Sequence, residues 1–172
     1  MKKLILLSLC ILTMIHVSAQ EKNKIHLKLI QPGIEYQFSI KNNLLASIDL
    51  GFGLINMSYN SEDKFETYIS TFSNVTVKNI YNSSKVLSRN NSLLFHSGNY
   101  YGMRWLGYNG NVSNDSKGEH FNYAVGPVWG LQRYHKTFYY QFELGLGYHS
   151  RTEIKGVAPL ARFCVGINIK QW

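Results

Sequence analysis

The sequence predicts an all-β protein, an antiparallel up-and-down transmembrane β-barrel of about eight strands preceded by a cleaved signal peptide. Three observations carry that prediction. The chain opens with an export signal, the remainder alternates apolar with small or polar residues at period two, and the alternating segments are joined by connections that are short and long in turn.

Lys2 and Lys3 form a basic start, residues 4–15 are mostly apolar, and Val17-Ser18-Ala19 places small residues before Gln20. This is the layout of a secretory signal peptide. The apolar run falls short of the roughly 20 residues a helix needs to cross a bilayer. Cleavage after Ala19 is therefore expected, giving a signal over 1–19 and one barrel domain over 20–172. Cys10 does not make a lipoprotein signal, because it lies inside the apolar run behind the bulky Leu7-Ser8-Leu9.

Removing nineteen residues from 172 leaves 153, enough for one domain with a substantial buried face. The net charge falls from +8 to about +6, because the signal carries two lysines and no acid. The remaining charges are scattered, with no basic run of the kind that tracks a phosphate backbone, so no nucleic-acid partner is expected. Cys164 is the one cysteine after the signal, which excludes an intramolecular disulfide and a multi-cysteine metal site.

Successive side chains of a strand point to opposite faces. Over 138–148, Phe138, Tyr140, Phe142, Leu144, Leu146 and Tyr148 share one face, against Tyr139, Gln141, Glu143, Gly145 and Gly147. The preceding segment repeats the pattern: Phe121, Tyr123, Val125, Pro127, Trp129 and Leu131 oppose Asn122, Ala124, Gly126, Val128, Gly130 and Gln132. Pro127 costs a ladder donor. Upstream, Leu44, Ala46, Ile48, Leu50, Phe52 and Leu54 oppose Ser47, Asp49, Gly51 and Gly53. Near the end, Ala161, Phe163, Val165, Ile167 and Ile169 oppose Arg162, Cys164, Gly166, Asn168 and Lys170. Weaker strands read over 25–30, 34–40, 65–81 and 100–108. Only Pro32-Gly33 separates the first two, which are read either as two strands or as one bent strand.

Residues 41–43 and 134–136 are tight connections, whereas 60–64, 109–120 and 149–157 are longer and polar. The stretch 82–98 breaks the alternation and is expected to hold a brief helix around 84–89. A soluble barrel such as a lipocalin turns its apolar face inward, and an outer-membrane barrel turns it toward lipid. Aromatic residues at both ends of the greasy face in 138–148 favour lipid. So does the balance on the other face, where Glu35, Asp49, Glu66 and Glu143 accompany Lys28, Lys78, Arg104 and Arg162. Charges enclosed in a narrow interior must pair, and Glu143 with Arg104 is the pair expected. Eleven residues at about 3.3 Å each, tilted near 40°, give roughly 28 Å of height against an apolar band of ~25 Å.

The chain resembles the small outer-membrane β-barrel proteins common in Bacteroidota. The residues that carry the likeness are Ser18-Ala19-Gln20, Gln31-Pro32-Gly33-Ile34-Glu35-Tyr36, Asn99-Tyr100-Tyr101-Gly102, the run from Val125-Gly126-Pro127 through Val128-Trp129-Gly130-Leu131-Gln132-Arg133, and Leu144-Gly145-Leu146-Gly147-Tyr148. The terminal Trp172 resembles the aromatic end of an assembly signal, out of phase with Phe163, Val165, Ile167 and Ile169. The resemblance implies a bacterial outer-membrane location, with membrane lipid and the barrel-assembly machinery as partners. It carries over no catalytic residue.

No catalytic, cofactor-binding or metal-ligating set stands out. His149, Ser150 and Glu153 come nearest to a hydrolase constellation, which needs a serine hydroxyl within hydrogen-bond reach of a histidine oriented by an acid. A continuing strand would put His149 and Ser150 on opposite faces. Ser113, Asp115, Glu119 and His120 share one loop and read as ordinary exposed polar residues. Gly51-Phe52-Gly53 and Gly145-Leu146-Gly147 lack the third glycine of a dinucleotide site, with Asn56 and Ser150 in its place. His26, His96, His120, His135 and His149 form no ligand pair on one face. The expected function is that of a non-enzymatic envelope or surface component without a wide pore. The rivals are a surface module that binds an unknown external ligand through loops 60–64, 109–120 and 149–157, a lipid-modifying hydrolase or acyltransferase that uses His149 or His120, and a soluble lipocalin-like barrel.

Overall fold

A period-two chain with one greasy face hides that face or surrounds itself with apolar solvent, and ring closure satisfies every strand's backbone. A computed structural model of the chain describes residues 23–41, 43–59, 65–89, 96–110, 120–150 and 155–171. The strands are β1 (Lys24–Lys28), β2 (Gly33–Lys41), β3 (Leu44–Tyr59), β4 (Phe65–Ile80), β5 (Gly98–Gly110), β6 (His120–Tyr134), β7 (Phe138–Ser150) and β8 (Lys155–Gln171). A seven-residue helix, α1 (Ser83–Arg89), follows β4. Each strand pairs antiparallel with its neighbour in sequence, and β1 closes on β8, so the eight strands form one closed up-and-down barrel.

The segments on either side of Pro32-Gly33 are two strands: β1 and β2 run antiparallel, with Leu27 opposite Ile34 and Lys28 opposite Gly33. The expected helix within 82–98 is α1. Asn82 fixes the return to β5, its Oδ1 accepting from the Asn99 N–H at 2.6 Å. The turn after β6 is closed by the His135 N–H donating to the Phe138 carbonyl at 2.7 Å. The signal peptide over 1–19 and the loops 60–64, 111–119 and 151–154 lie outside the described residues.

Two strands are longer than their alternation suggests. β3 continues past Leu54 to Tyr59, and β8 begins at Lys155, so 155–157 is strand rather than loop. Proline is tolerated in a sheet at an edge or where no partner needs its N–H. Pro159 keeps its place opposite Leu146. In the β6–β7 ladder, pairing stops after Val125 with Tyr148 and resumes at Val128 with Gly145, bracketing Pro127.

Burial decides which face points where. Leu50, Phe52, Leu146 and Val157 lie outside at 58–72% exposure, and the Phe138 to Tyr148 face is exposed along its whole length. Glu35, Asp49, Lys78, Glu143 and Arg162 are buried in the interior at no more than 2%. The apolar face is the outer face.

Glycines let β6 and β7 approach. A Cβ at Gly126 would lie 2.1 Å from the Leu146 carbonyl oxygen and 2.5 Å from the Gly147 Cα. Gly126→Ala is expected to cost about 1–3 kcal/mol by overpacking, read as a lower urea midpoint of the folded barrel in detergent. Gly156→Ala, whose Cβ meets nothing within 4 Å, should leave the midpoint unchanged.

Candidate functional site

The interior is filled in layers. At the end where the short turns lie, Tyr134, Tyr139 and Cys164 pack together, and Leu45, Ile80 and Tyr100 form a second cluster. His26 lies there tilted against Tyr139 and stacked on Tyr134, at centroid distances of 4.3 and 5.1 Å, and its Nδ1 is 2.8 Å from Asn168 Oδ1. Lys24 Nζ stands 3.8 Å from the centre of the Tyr134 ring, a cation–π contact. At the other end Phe72, Leu106, Tyr108, Ala124, Val128 and Leu160 form an apolar layer.

Between them lies one continuous polar network. Arg162 Nη2 reaches Glu35 Oε2 at 3.1 Å and Asp49 Oδ2 at 3.0 Å. Asp49 Oδ2 also accepts from Lys28 Nζ at 2.6 Å and from Asn74 Nδ2 at 3.1 Å. Arg104 Nε donates to Asn74 Oδ1 and its Nη1 to Glu143 Oε1, both at 3.0 Å. Gln141 donates to the Tyr100 hydroxyl, which donates to Glu143 Oε2. Tyr139 donates to Glu35 Oε2 at 3.3 Å, and Lys78 Nζ stands 3.9 Å from Glu35 Oε1. The network joins β1, β2, β3, β4, β5, β7 and β8.

The Arg104–Glu143 pair expected from the sequence is present, and seven of the eight named charges are buried inside. The side chain of Glu66 lies outside the described residues. Lys24, Gln37 and Tyr134, which the sequence reading does not place inside, are also buried there, as is His26, which it weighs only as a metal ligand. Their signal was available: Lys24 and His26 are in phase with Lys28 on β1, and Gln37 with Glu35 on β2.

His149 and Ser150 are consecutive residues of β7, which continues through both, so they face opposite ways. Ser113, Asp115, Glu119 and Glu153 lie outside the described residues, as does the His120 side chain. Among the described residues no three His, Cys, Asp or Glu side chains are grouped to hold a metal ion.

His149 instead borders a cavity of about 150 Å³ in the interior, with Phe72, Asn74, Arg104, Tyr108 and Leu160. An outer groove of about 650 Å³ runs over Pro32, Ile34, Ile48, Leu50 and Phe52, and Phe72 borders both spaces.

The chain matches no protein-family model, no curated protein and no solved structure.

Removing one member of a buried charge pair leaves its partner uncompensated, at about 3–5 kcal/mol. Arg162→Met takes one cation from both Glu35 and Asp49 but leaves Lys78 and Lys28 beside them, so it should fall at the lower end of that range in urea unfolding. The double variant Arg104→Met with Glu143→Leu should cost less than the sum of its single variants, a non-additivity that a double-mutant cycle measures.

Proposed function

We propose that this chain is an exported outer-membrane β-barrel, a non-enzymatic component of the envelope without a wide pore. The observation that carries this reading is the inverted burial pattern: a buried ion network inside a closed barrel whose outside is apolar. Soluble monomers rarely expose a contiguous apolar patch larger than a few hundred Å², about 300–600 Å² at most. Here apolar side chains stay exposed on strand after strand, including Ile34, Leu50, Met103, Trp129, Leu144 and Phe163. A lipocalin-like barrel would need the opposite arrangement.

Aromatic residues at the two ends of the barrel support the same reading, because indole and phenol rings favour the membrane–water interface. Near the short turns, Tyr81 stacks on Tyr101 at 6.1 Å and accepts from the Trp129 indole N–H at 3.1 Å. Toward the far end, Trp105 lies 6.1 Å from Phe121. The interior argues against a wide channel, because eight strands enclose little more than side chains and layered side chains occupy the space. The export signal and the resemblance to Bacteroidota barrels agree with this location, with lipid and the assembly machinery as partners.

Membrane fractionation with heat-modifiable gel mobility tests the reading. The protein should stay with outer membranes through a high-salt wash and migrate faster unheated than boiled. A protein in the aqueous fraction with no heat shift would overturn it. Leu144→Arg, placing a charge midway along β7 on the outer face, should cost about 2–4 kcal/mol in lipid. Planar bilayers containing the folded protein should show no stable conductance steps.

A further inference from the structure

The ring is complete over only part of its height. β1 ends at Lys28, opposite Gly166 of β8, and β2 begins at Gly33, opposite Gly51 of β3. The turn between them is tied to its neighbours by the Leu29 N–H donating to the Val165 carbonyl and the Phe52 N–H to the Pro32 carbonyl, both at 2.8 Å. Beyond that level β3 continues to Tyr59 on its β4 side, and β8 extends back to Lys155 on its β7 side. Among the described residues, neither has a ladder partner on the facing side. The barrel wall has a notch between β3 and β8, above the β1–β2 turn.

Two features of the sequence fit an edge there. Pro159 lies in the stretch of β8 that borders the notch, and proline within sheets concentrates on edge strands. A Cβ at Gly156 would meet no atom within 4 Å. The notch also lies within the greasy height of the wall, since Val157, Pro159, Ala161 and Phe163 along its border all point outward and are exposed. Unpaired backbone at that depth is tolerated in a bilayer only where it lines protein or a water-filled cavity. The interior cavity lies behind it, bordered by Gln31 of the turn and by Pro159, Leu160 and Ala161 of the β8 edge.

We propose that the notch is a lateral portal through which a single-chain anionic amphiphile, a fatty acid or its like, reaches the interior from the lipid. The acyl chain lies in the outer groove over Ile34, Leu50 and Phe52, and the head group passes Phe72 into the cavity. The groove is apolar and the cavity is polar on one wall, a division that matches an amphiphile. Phe72 borders both spaces, its ring 3.0 Å from where a Cβ on Gly51 would lie. One cation lines the cavity, and a second, paired with Asp49, stands behind Phe72. Arg104 borders the cavity with two of its five N–H donors accounted for by Asn74 and Glu143, and Lys28 Nζ is 4.6 Å from the Phe72 ring centre. A cavity of about 150 Å³ takes a group the size of benzene, so it holds a head group and the first methylenes rather than a whole lipid.

The proposal rests on the membrane reading, and the test separates the two. Full-length protein in phosphatidylcholine vesicles is irradiated with a fatty acid carrying a diazirine next to its carboxylate, and the adducts are mapped by mass spectrometry. Vesicle flotation and the heat shift are scored on the same samples. Adducts on the inward-facing Phe72, Leu106 or Leu160, competed away by unlabelled fatty acid, are expected. Leu160→Trp should lower them at least tenfold while leaving adducts on Leu50 and Phe52 unchanged. Leu106→Trp, which fills the cavity from the opposite wall, serves the same purpose should the first variant fail to fold. Adducts confined to outward residues in a floating, heat-modifiable barrel would overturn the portal and leave the membrane reading standing. So would two copies cross-linked through their β8 edges without inward labelling. A chain that does not float overturns both.

Discussion

The structure depends on the requirement that charges enclosed by the strands find partners inside. Arg162 carries the largest share, because it holds the carboxylates of both Glu35 and Asp49, on two adjacent strands, from β8. From Asp49 the network continues through Asn74 and Arg104 to Glu143 and Tyr100. Buried ion pairs add little net stability compared with apolar packing, but each becomes costly when half is missing. The network therefore acts as a register constraint. A one-residue slip of a strand would turn its charge out of the interior and leave the opposing charge unpaired.

The apolar outer face follows from the same constraint. Side chains alternate across a strand, so a chain that commits its charges to one face commits Leu, Ile, Phe and Val to the other. With the charges inside, the greasy residues have only the exterior. Glycine and proline then decide how the wall is built. Gly126 and Gly145 let β6 and β7 pack backbone to backbone beside Pro127, where the ladder has a gap. Pro159 sits where β8 faces the notch. The ladder is interrupted beside Pro127, between β6 and β7, and runs unbroken where β7 pairs with β8.

The interior is partly legible in the sequence. Phase and sign alone pair Glu143 with Arg104, because each sits on the polar face of its strand. His26, Tyr134 and Tyr139 form the aromatic layer near the short turns, yet β1 is only five residues long, too short for its phase to stand out. That Phe72 borders both the cavity and the groove could not be read from the sequence at all. Phe72 belongs to a Thr- and Ser-rich strand, where a phenylalanine on the small-residue face looks like an interruption of the pattern.

The sequence by itself determined the class of the chain and the division of its faces: period-two alternation, charges in phase with glycines, and an apolar set in phase with aromatics. These are local properties, set by the alternation of side chains along a strand. Tertiary structure fixed the face that alternation leaves open and that charge balance and aromatic ends point to, and it alone decided that β1 and β2 are separate strands and that, among the described residues, ring closure is complete only below the β1–β2 turn. The reason is physical. Alternation has the same form whichever face is buried, and the height at which a hairpin turns matters only relative to neighbours far away in sequence. Strands β3 and β8, separated by 155 − 59 = 96 positions at their nearest ends, come to face each other across a short hairpin, and Pro159 by itself does not report the opening between them.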